Sequence, residues 1–160
     1  GKRRLWNIAD LVENVTVMDY NGTQKVVRKP DIRFGYRTSD LAKYIVVSAR
    51  LKVRKGKKEE IAKKMKEYLS DKAAHQDLSA PSAGCVFKNP SGKSAGKLID
   101  ECGLKGMHIN DAYISRSHAN FIVNYGCAKA KDVLQLMNLI KKKIKEKYNI
   151  TLEPEIKIWK

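Results

Sequence analysis

The chain has 160 residues, of which 42% are hydrophobic, so it can bury a core in one ordinary domain or two small ones and is not a disordered basic tail. Its 33 Lys and Arg against 17 Asp and Glu give a formal net charge of +16, which indicates anionic partners. No apolar run in this sequence approaches the roughly 20 residues that a membrane span needs, and no signal peptide is visible in it.

Nucleic acid is the first anionic partner that the charge suggests. The basic residues, however, are spread over helical stretches at Lys55 to Lys72 and Lys141 to Lys147 without interleaved aromatic rings. This distribution favours solvated helix faces over a nucleic-acid surface.

The cysteines indicate the compartment. Cys85, Cys102 and Cys127 are an odd number, without paired spacing and without a histidine at metal-ligand distance. We therefore expect no disulfide framework, no metal site and a reducing cytoplasm as the setting. The chain begins at Gly1 rather than at Met, which is expected of a piece of a longer protein.

The N-terminal part is predicted to form strands. Val12, Val15 and Val17 lie along an extended segment, and Asn21-Gly22 predicts a hairpin over residues 13–29 with positive φ at both turn residues. Residues 32–39 are too polar and Gly-interrupted for a regular element. Residues 44–53 are predicted to be a third strand.

A helix and a linker follow. Residues 57–69 place Ile61, Met65 and Leu69 on one helical face. Residues 70–84, with Ala, Ser and Pro, are predicted to be a linker or a loop that lines a site. We place the domain boundary there, with domains at residues 1–72 and 73–160.

The second domain is predicted to mix helix and strand. Residues 85–87 are expected to be a strand, and the next helix begins at the N-cap Ser94 and ends at Cys102, with Gly103 as its C-cap. The remaining predicted elements are three short strands, the longest helix, which Asn149 ends, and a last strand interrupted by Pro154: 107–109, 112–115, 120–124, 131–148 and 151–159. The predicted fold class is α+β, with a long helix covering a small sheet.

The stretch from Pro81 to Asp100 concentrates reactive and polar groups. Cys85 is open to two interpretations, a buried and inert core thiol or a proton donor. A thiol with a pKa near ~8.5 is mostly protonated at neutral pH, yet it releases its proton far more easily than a serine hydroxyl.

Polar residues follow Cys85 in the same stretch. Lys88 and Asn89 serve either an anionic ligand or an Asn-Pro-Ser-Gly turn. The N–H groups after Ser94, with Lys93 beside them, suit a phosphate oxygen, although Gly-Lys-Ser-Ala lacks the spacing of a nucleotide-binding P-loop.

Three polar residues elsewhere also have two interpretations each. Arg37, between aromatic residues and a glycine, is a surface cation or a rigid guanidinium that binds a carboxylate through two hydrogen bonds. Glu155 is an edge-strand charge or a carboxyl poised against a substrate. His118 is a structural histidine or a ligand contact.

Taken together, six ordered motifs closely resemble the UDP-N-acetylenolpyruvoylglucosamine reductase (MurB) family. The motifs are Phe34 to Arg37, Pro81 to Pro90, Ala95 to Asp100, Gly103 to Gly106, His118 to Asn124 and Leu152 to Glu155. Members make UDP-N-acetylmuramate for bacterial peptidoglycan, and so serve cell-wall growth, cell shape and cell division. The resemblance implies that NADPH reduces FAD, which passes hydride to C3 of the enolpyruvyl group of UDP-N-acetylglucosamine enolpyruvate.

The resemblance also implies how the chain is divided. It is similar to the remainder of a flavin-binding domain followed by a small α+β substrate-binding domain, without the N-terminal flavin-binding domain. That domain is an expected missing partner, and the fragment alone is expected to be inactive. The short connection between Asn89 and Lys97 implies the compact subtype of the family.

Site residues follow from the resemblance residue by residue. Cys85 stands where members carry a serine that donates the proton to C2. Arg37 matches the arginine that holds the substrate carboxylate and the flavin edge, and Glu155 matches its acidic partner. Asn89 and His118 match positions that contact the UDP portion, and their sequence neighbour Lys88 joins them as an expected substrate contact.

Two functions from other classes stay open at this point. One is a stand-alone UDP-sugar-binding module without flavin or catalysis. The other is a basic nucleic-acid-binding domain, which would use the charge but give Cys85, Arg37 and Glu155 no task.

Overall fold

The structure of the chain is a computed structural model that describes residues 7–77 and 80–159, apart from the side chain of His75. The described residues mix helices and antiparallel strands, which confirms the predicted α+β class. The chain divides into two compact units, Gly1–Lys58 and Glu59–Lys160. None of the described helices combines the length and the apolar character that crossing a bilayer requires.

The first unit is a small antiparallel sheet. Its elements are α1 (Ile8–Leu11), β1 (Val12–Met18), β2 (Gln24–Arg28), β3 (Phe34–Gly35), β4 (Thr38–Ser39) and β5 (Ile45–Leu51). The three longer strands lie in the order β2-β1-β5, and within the described part of the chain β3 and β4 pair only with each other. The predicted hairpin and third strand are confirmed, and residues 32–39 contain the short β3–β4 hairpin that the sequence pattern did not predict.

The core of this unit explains the spacing of its valines. Val12, Val15 and Val17 are all buried, although Val12 and Val15 are an odd number of positions apart and alternate side chains of a regular strand face opposite sides. The pairing of β1 with β5 shifts register between Val12 and Asn14. A bulge of this kind turns the strand, so that all three valines pack with Ile32 against one core.

The β1–β2 turn differs from the predicted one. Gly22 has φ of +87°, but Asn21 does not have positive φ, so the expectation of two left-handed residues was wrong. The Asp19 carboxylate accepts hydrogen bonds from the N–H groups of Asn21 and Thr23, both at 2.9 Å. Because this side chain satisfies N–H groups of the loop, the loop does not need the geometry of a two-residue turn.

The second unit is a four-stranded antiparallel sheet packed against one long helix. Its elements are α2 (Lys58–His75), β6 (Ser82–Cys85), α3 (Ala95–Glu101), β7 (His108–Ile109), β8 (Ala112–Ile114), β9 (Phe121–Asn124) and α4 (Ala130–Tyr148). The strand order is β6-β9-β8-β7. Leu136, Met137, Ile140 and Ile144 of α4 are buried in the same cluster as Ile114 of the sheet, so the predicted covering helix is confirmed.

Two predicted boundaries in this unit were wrong. The helix predicted to end at Leu69 continues to His75, because Ser70 to Ala74 contain neither Gly nor Pro to stop it. The strand predicted at 85–87 ends at Cys85, and Phe87 forms only a single bridge with Pro154.

The C-terminal end of helix α3 and the last predicted strand also differ from the sequence-based prediction. Ser94 is the N-cap of α3 as predicted, since its Oγ accepts a hydrogen bond from Lys97 N–H at 3.3 Å. Cys102 is the C-cap, and Gly103, with φ of +68°, is the residue after it. Residues 151–159 form no strand beyond the Pro154 bridge, because proline has no N–H to donate to a ladder.

Candidate functional site

The segment from Cys85 to Asn89 is held by backbone hydrogen bonds on both sides. On one side, Val86 N–H donates to the Asn120 carbonyl at 2.8 Å. On the other, Glu155 N–H donates to the Val86 carbonyl at 2.8 Å, and Lys88 N–H donates to the Glu153 carbonyl at 2.9 Å. The segment therefore joins the stretch before β9 to the stretch around Pro154.

Cys85 lies at the end of β6, opposite Phe121 of β9. It is half-buried, while the next two residues, Val86 and Phe87, are fully buried. Gly84, directly before it, has φ of +81°, a conformation that L side chains rarely adopt. The thiol thus lies at the margin of the core, which a group that exchanges a proton with a ligand requires.

Lys88 and Asn89 both have partners within the fold. Lys88 Nζ lies 3.2 Å from Glu153 Oε2. The Asn89 Oδ1 atom accepts a hydrogen bond from Ala95 N–H at 2.9 Å and so caps the first turn of α3. A ligand contact by Asn89 would therefore use its amide N–H groups.

A cavity of about 290 Å³ lies beside the same turn of α3. It is lined by Gly92, Lys93, Ser94, Lys97, Leu98, Glu101 and Tyr148. The Tyr148 hydroxyl donates to Glu101 Oε2 at 2.8 Å, and this hydrogen bond to a carboxylate raises the pKa of Tyr148 to about 12. The hydroxyl is therefore neutral at physiological pH and ties the end of α4 to the end of α3.

His118 is half-buried and held on several sides. Its Nδ1 accepts a hydrogen bond from Asn120 N–H at 3.2 Å. Its ring meets the edge of Phe121 with centroids 4.7 Å apart. A Cβ added at Gly96 would lie 3.3 Å from the His118 Cε1 atom, so a glycine at the start of α3 admits the ring.

Arg37 belongs to the first unit, where it occupies the turn between β3 and β4. It is exposed and has φ of +58°. Its guanidinium carbon lies 5.9 Å from the centroid of the Tyr36 ring. The neighbouring aromatic ring matches the setting that the sequence indicated.

The second unit brings five of the six predicted site residues onto connected backbone segments. Cys85, Lys88 and Asn89 belong to one segment, to which the half-buried Glu155 donates its backbone N–H. Asn89 and His118 both contact the first turn of α3. The convergence of Arg37 with these five stays a prediction.

Sequence reasoning gave no role to Glu153 or Asn120. Glu153 is the ion-pair partner of Lys88. The two residues are 65 positions apart in the sequence, so no local pattern predicts this contact. Asn120 is buried at the start of the apolar run Phe121 to Val123. A polar amide at the edge of such a run is the signal that could have identified it.

Fold and candidate site together define an α+β domain in which Cys85, Glu155 and His118 lie on backbone segments that are joined near the Cys85–Phe121 end of the β6–β9 pair. A family model described as "UDP-N-acetylenolpyruvoylglucosamine reductase, C-terminal domain" matches residues 76–159. The chain belongs to the UDP-N-acetylenolpyruvoylglucosamine reductase family, and it contains that C-terminal domain.

Individual relatives agree with this assignment. The proteins named UDP-N-acetylenolpyruvoylglucosamine reductase from Caldanaerobacter subterraneus and Clostridium novyi are 44% and 39% identical to this chain, over 93% and 94% of its length. The crystal structure of the reductase from Thermus caldophilus superimposes with a TM-score of 0.79 at 44% identity, and the match covers 95% of this chain and 54% of that one. The chain spans about half the length of the curated relatives it matches.

Proposed function

We propose that the chain is the C-terminal half of a flavin-dependent reductase that converts UDP-N-acetylglucosamine enolpyruvate to UDP-N-acetylmuramate in peptidoglycan synthesis. The observation that carries the proposal is the joining of Cys85, Lys88, Asn89, His118 and Glu155 on connected segments of the domain that defines the family. The proposed setting is the reducing cytoplasm, in keeping with three cysteines that form no disulfide.

Substrate binding falls to the polar side chains of the second unit. The proposed contacts to the UDP portion are the amide N–H groups of Asn89 and the imidazole of His118. The Lys88 ammonium, beside Glu153, adds a cation for the anionic nucleotide. Supporting this, α3 packs its first turn against both Asn89 and His118, so the two are held at one place.

The catalytic roles are proposed for Cys85, Arg37 and Glu155. When bound, FAD supplies the hydride chemistry by carrying the hydride of NADPH to C3 of the enolpyruvyl group. The electron pair of the double bond then moves to C2, where the Cys85 thiol delivers its proton and is left as a thiolate. The Arg37 guanidinium stabilises the charge that spreads onto the substrate carboxylate, with Glu155 as the acidic partner.

The residues suit the flavin only in part. Arg37 is the one residue of the chain proposed to meet the flavin edge, and its exposed guanidinium next to Tyr36 is a suitable donor for a carbonyl oxygen or a carboxylate. The other proposed site residues all lie in the second unit, and the roles proposed for them concern the substrate. This distribution favours, as the second candidate, a UDP-sugar-binding module without catalysis.

A calorimetric titration of the whole chain with UDP-N-acetylglucosamine enolpyruvate tests the binding part. We expect saturable one-site binding. Asn89→Asp keeps an oxygen for the Ala95 N–H and removes the amide donors, so the affinity is expected to fall at least about tenfold while α3 stays capped.

The matched control is Asn138→Asp, which makes the same change on the exposed face of α4. It should bind the substrate like the original chain. No saturable binding by the original chain, or equal affinity for Asn89→Asp, would contradict the proposal. Yellow flavin absorbance and NADPH oxidation in an assembly that supplies the flavin-binding domain separate a reductase from a binding module.

A further inference from the structure

A buried amide lies at the centre of the candidate site. Asn120 is 3% exposed. Its Oδ1 accepts a hydrogen bond from Phe87 N–H at 3.0 Å, and its Nδ2 donates to the Phe87 carbonyl at 2.8 Å. A buried polar side chain is tolerated when its donor and acceptor are both satisfied, and here one backbone residue satisfies both.

The two-point pair fixes the middle of the reactive segment. Phe87 lies two positions after Cys85 and two before Asn89, and its own side chain is buried. The opposite side of the segment is fixed by backbone hydrogen bonds around Pro154 and by the Lys88–Glu153 ion pair. Without the amide, the Phe87 N–H and carbonyl would both lose their partner in the core, and the segment would shift to find new ones.

The backbone of Asn120 also determines the proton position on His118. A backbone N–H can only donate, so the Nδ1 atom that it contacts at 3.2 Å must carry a lone pair. The proton of the neutral ring therefore lies on Nε2. His118 is thus a hydrogen-bond donor through Nε2, with its ring held by Phe121 and by the close approach of Gly96.

We propose that Asn120 is the positioning residue of this site, holding Phe87 through its side-chain amide and His118, as the Nε2–H tautomer, through its backbone. Through Phe87 it sets the placement of Cys85 and Asn89. An Nε2–H donor suits an oxygen acceptor such as a phosphate or carbonyl oxygen of a nucleotide. The ligand rests on the proposed function, whereas the tautomer and the amide pair are properties of the chain itself.

The tautomer is measured without any ligand. Long-range ¹⁵N–¹H NMR spectra of the whole chain at a pH where the ring is neutral distinguish the two forms, and His118→Gln assigns the signals among the three histidines. We expect a single Nε2–H form for His118. An Nδ1–H form, or an even mixture, would overturn the proposed arrangement.

Two variants test the positioning role. Asn120→Leu keeps a side chain of similar size without hydrogen bonds, and Asn120→Ala removes it. We expect each folded variant to bind UDP-N-acetylglucosamine enolpyruvate at least about tenfold more weakly, because the side-chain amide that holds Phe87 is gone, while the backbone N–H of residue 120 keeps His118 in its Nε2–H form. The control Asn138→Ala, on the exposed face of α4, should change neither quantity.

The outcomes separate this inference from the proposed function. A lower melting temperature for Asn120→Leu with unchanged affinity would make Asn120 a purely structural residue and overturn the inference. If the original chain does not bind the substrate, the proposed function fails, and two ligand-free readouts decide the inference alone: the tautomer of His118 in the original chain, and the amide NMR shifts of residues 85–89 in Asn120→Leu, which should change if the side chain positions that segment. If Asn120→Ala does not fold, Asn120→Leu and the original chain still decide it.

Discussion

At the scale of single residues, Cys85 combines a reactive group with a restricted approach. The left-handed φ of Gly84 shapes the backbone before it, and the buried Val86 and Phe87 anchor the backbone after it. Because the thiol is half-buried, its loss leaves the buried core residues in place. Substitutions at Cys85 therefore separate chemistry from folding.

Cys85→Ala is expected to lower turnover by about 10²–10⁴-fold in an assembly that supplies the flavin, because a positioned general acid contributes that much. The amount of folded protein should change little. Cys85→Ser should keep substantial activity, since a hydroxyl can donate a proton at the same place. Steady-state NADPH oxidation is the measurement, and equal rates for the original chain and Cys85→Ala would exclude the proton-donor role.

Arg37 allows its backbone and its charge to be tested separately. Its φ of +58° is one that glycine adopts freely and that a β-branched residue resists. Urea unfolding should therefore find Arg37→Gly within about 1 kcal/mol of the original chain and Arg37→Val destabilised by about 1–2 kcal/mol. Both variants should lose affinity for the substrate carboxylate to the same extent. If Arg37→Gly binds the substrate normally, the guanidinium has no part in it.

At the scale of elements, the start of α4 depends on one carboxylate. Asp132 is buried, its Oδ2 accepts from Lys129 N–H at 2.8 Å, and its Oδ1 accepts from Asn110 Nδ2 at 3.0 Å. The backbone N–H of Lys129, followed by the Asn110 amide, lowers the pKa of Asp132 below its ordinary value, against the opposing effect of burial. The carboxylate thus satisfies the helix terminus and also holds Asn110 in its left-handed conformation.

This lowered pKa gives a pH dependence with a definite sign. The unfolded chain binds a proton at Asp132 at a higher pH than the folded chain does, so the contribution is complete above the unfolded pKa of about 3.9 and is lost as pH falls below it. Asp132→Asn should have a lower free energy of unfolding than the original chain at pH 7. Between about pH 5 and pH 1, where such carboxylates titrate, the free energy of unfolding of Asp132→Asn should fall less than that of the original chain. Chemical unfolding across that range is the measurement. If the free energy of unfolding fell by the same amount in both chains as the pH is lowered, the role assigned to Asp132 would be contradicted.

Element types were predictable where periodicity is strong, and their ends were not. The buried face of α4, which contains Met137, Ile140 and Ile144, was predictable from their helical spacing, because apolar residues at that spacing lie on one side of a helix. The β1–β2 turn depended on the Asp19 side chain, which an Asn-Gly pattern does not reveal. The extent of β6 depended on pairing with distant residues, and local sequence carries no record of those partners.

The same limit applied to the site. Cys85, Asn89 and His118 were identified because they lie in recognisable motifs. The contacts that hold them, from Asn120 and around Pro154, join positions far apart in the chain and appear only in the folded structure. Residue types and motif order thus led to the predicted site residues, whose role stays a prediction, while the contacts that hold them required the fold.

At the scale of the whole molecule, charge and motif order gave different indications. A net charge of +16 suggests an anionic polymer, but the lysines of α4 from Lys141 to Lys147 lie along the exposed side of an amphipathic helix whose other side is buried. The ordered motifs indicated a UDP-sugar reductase, and the family assignment agrees with them. The central claim is therefore that the second unit binds its anionic ligand at the segment beginning at Cys85 and not along the lysine-rich helix face.

An amide NMR titration of the ¹⁵N-labelled chain with UDP-N-acetylglucosamine enolpyruvate tests this claim most directly. Inorganic pyrophosphate is the control ligand, since it carries charge without a nucleotide or an enolpyruvyl group. The account predicts saturable shifts in residues 85–89, 118–120 and 153–155, much smaller ones with pyrophosphate, and almost none in residues 141–147. Shifts of equal size with both ligands, concentrated in residues 141–147, would contradict it.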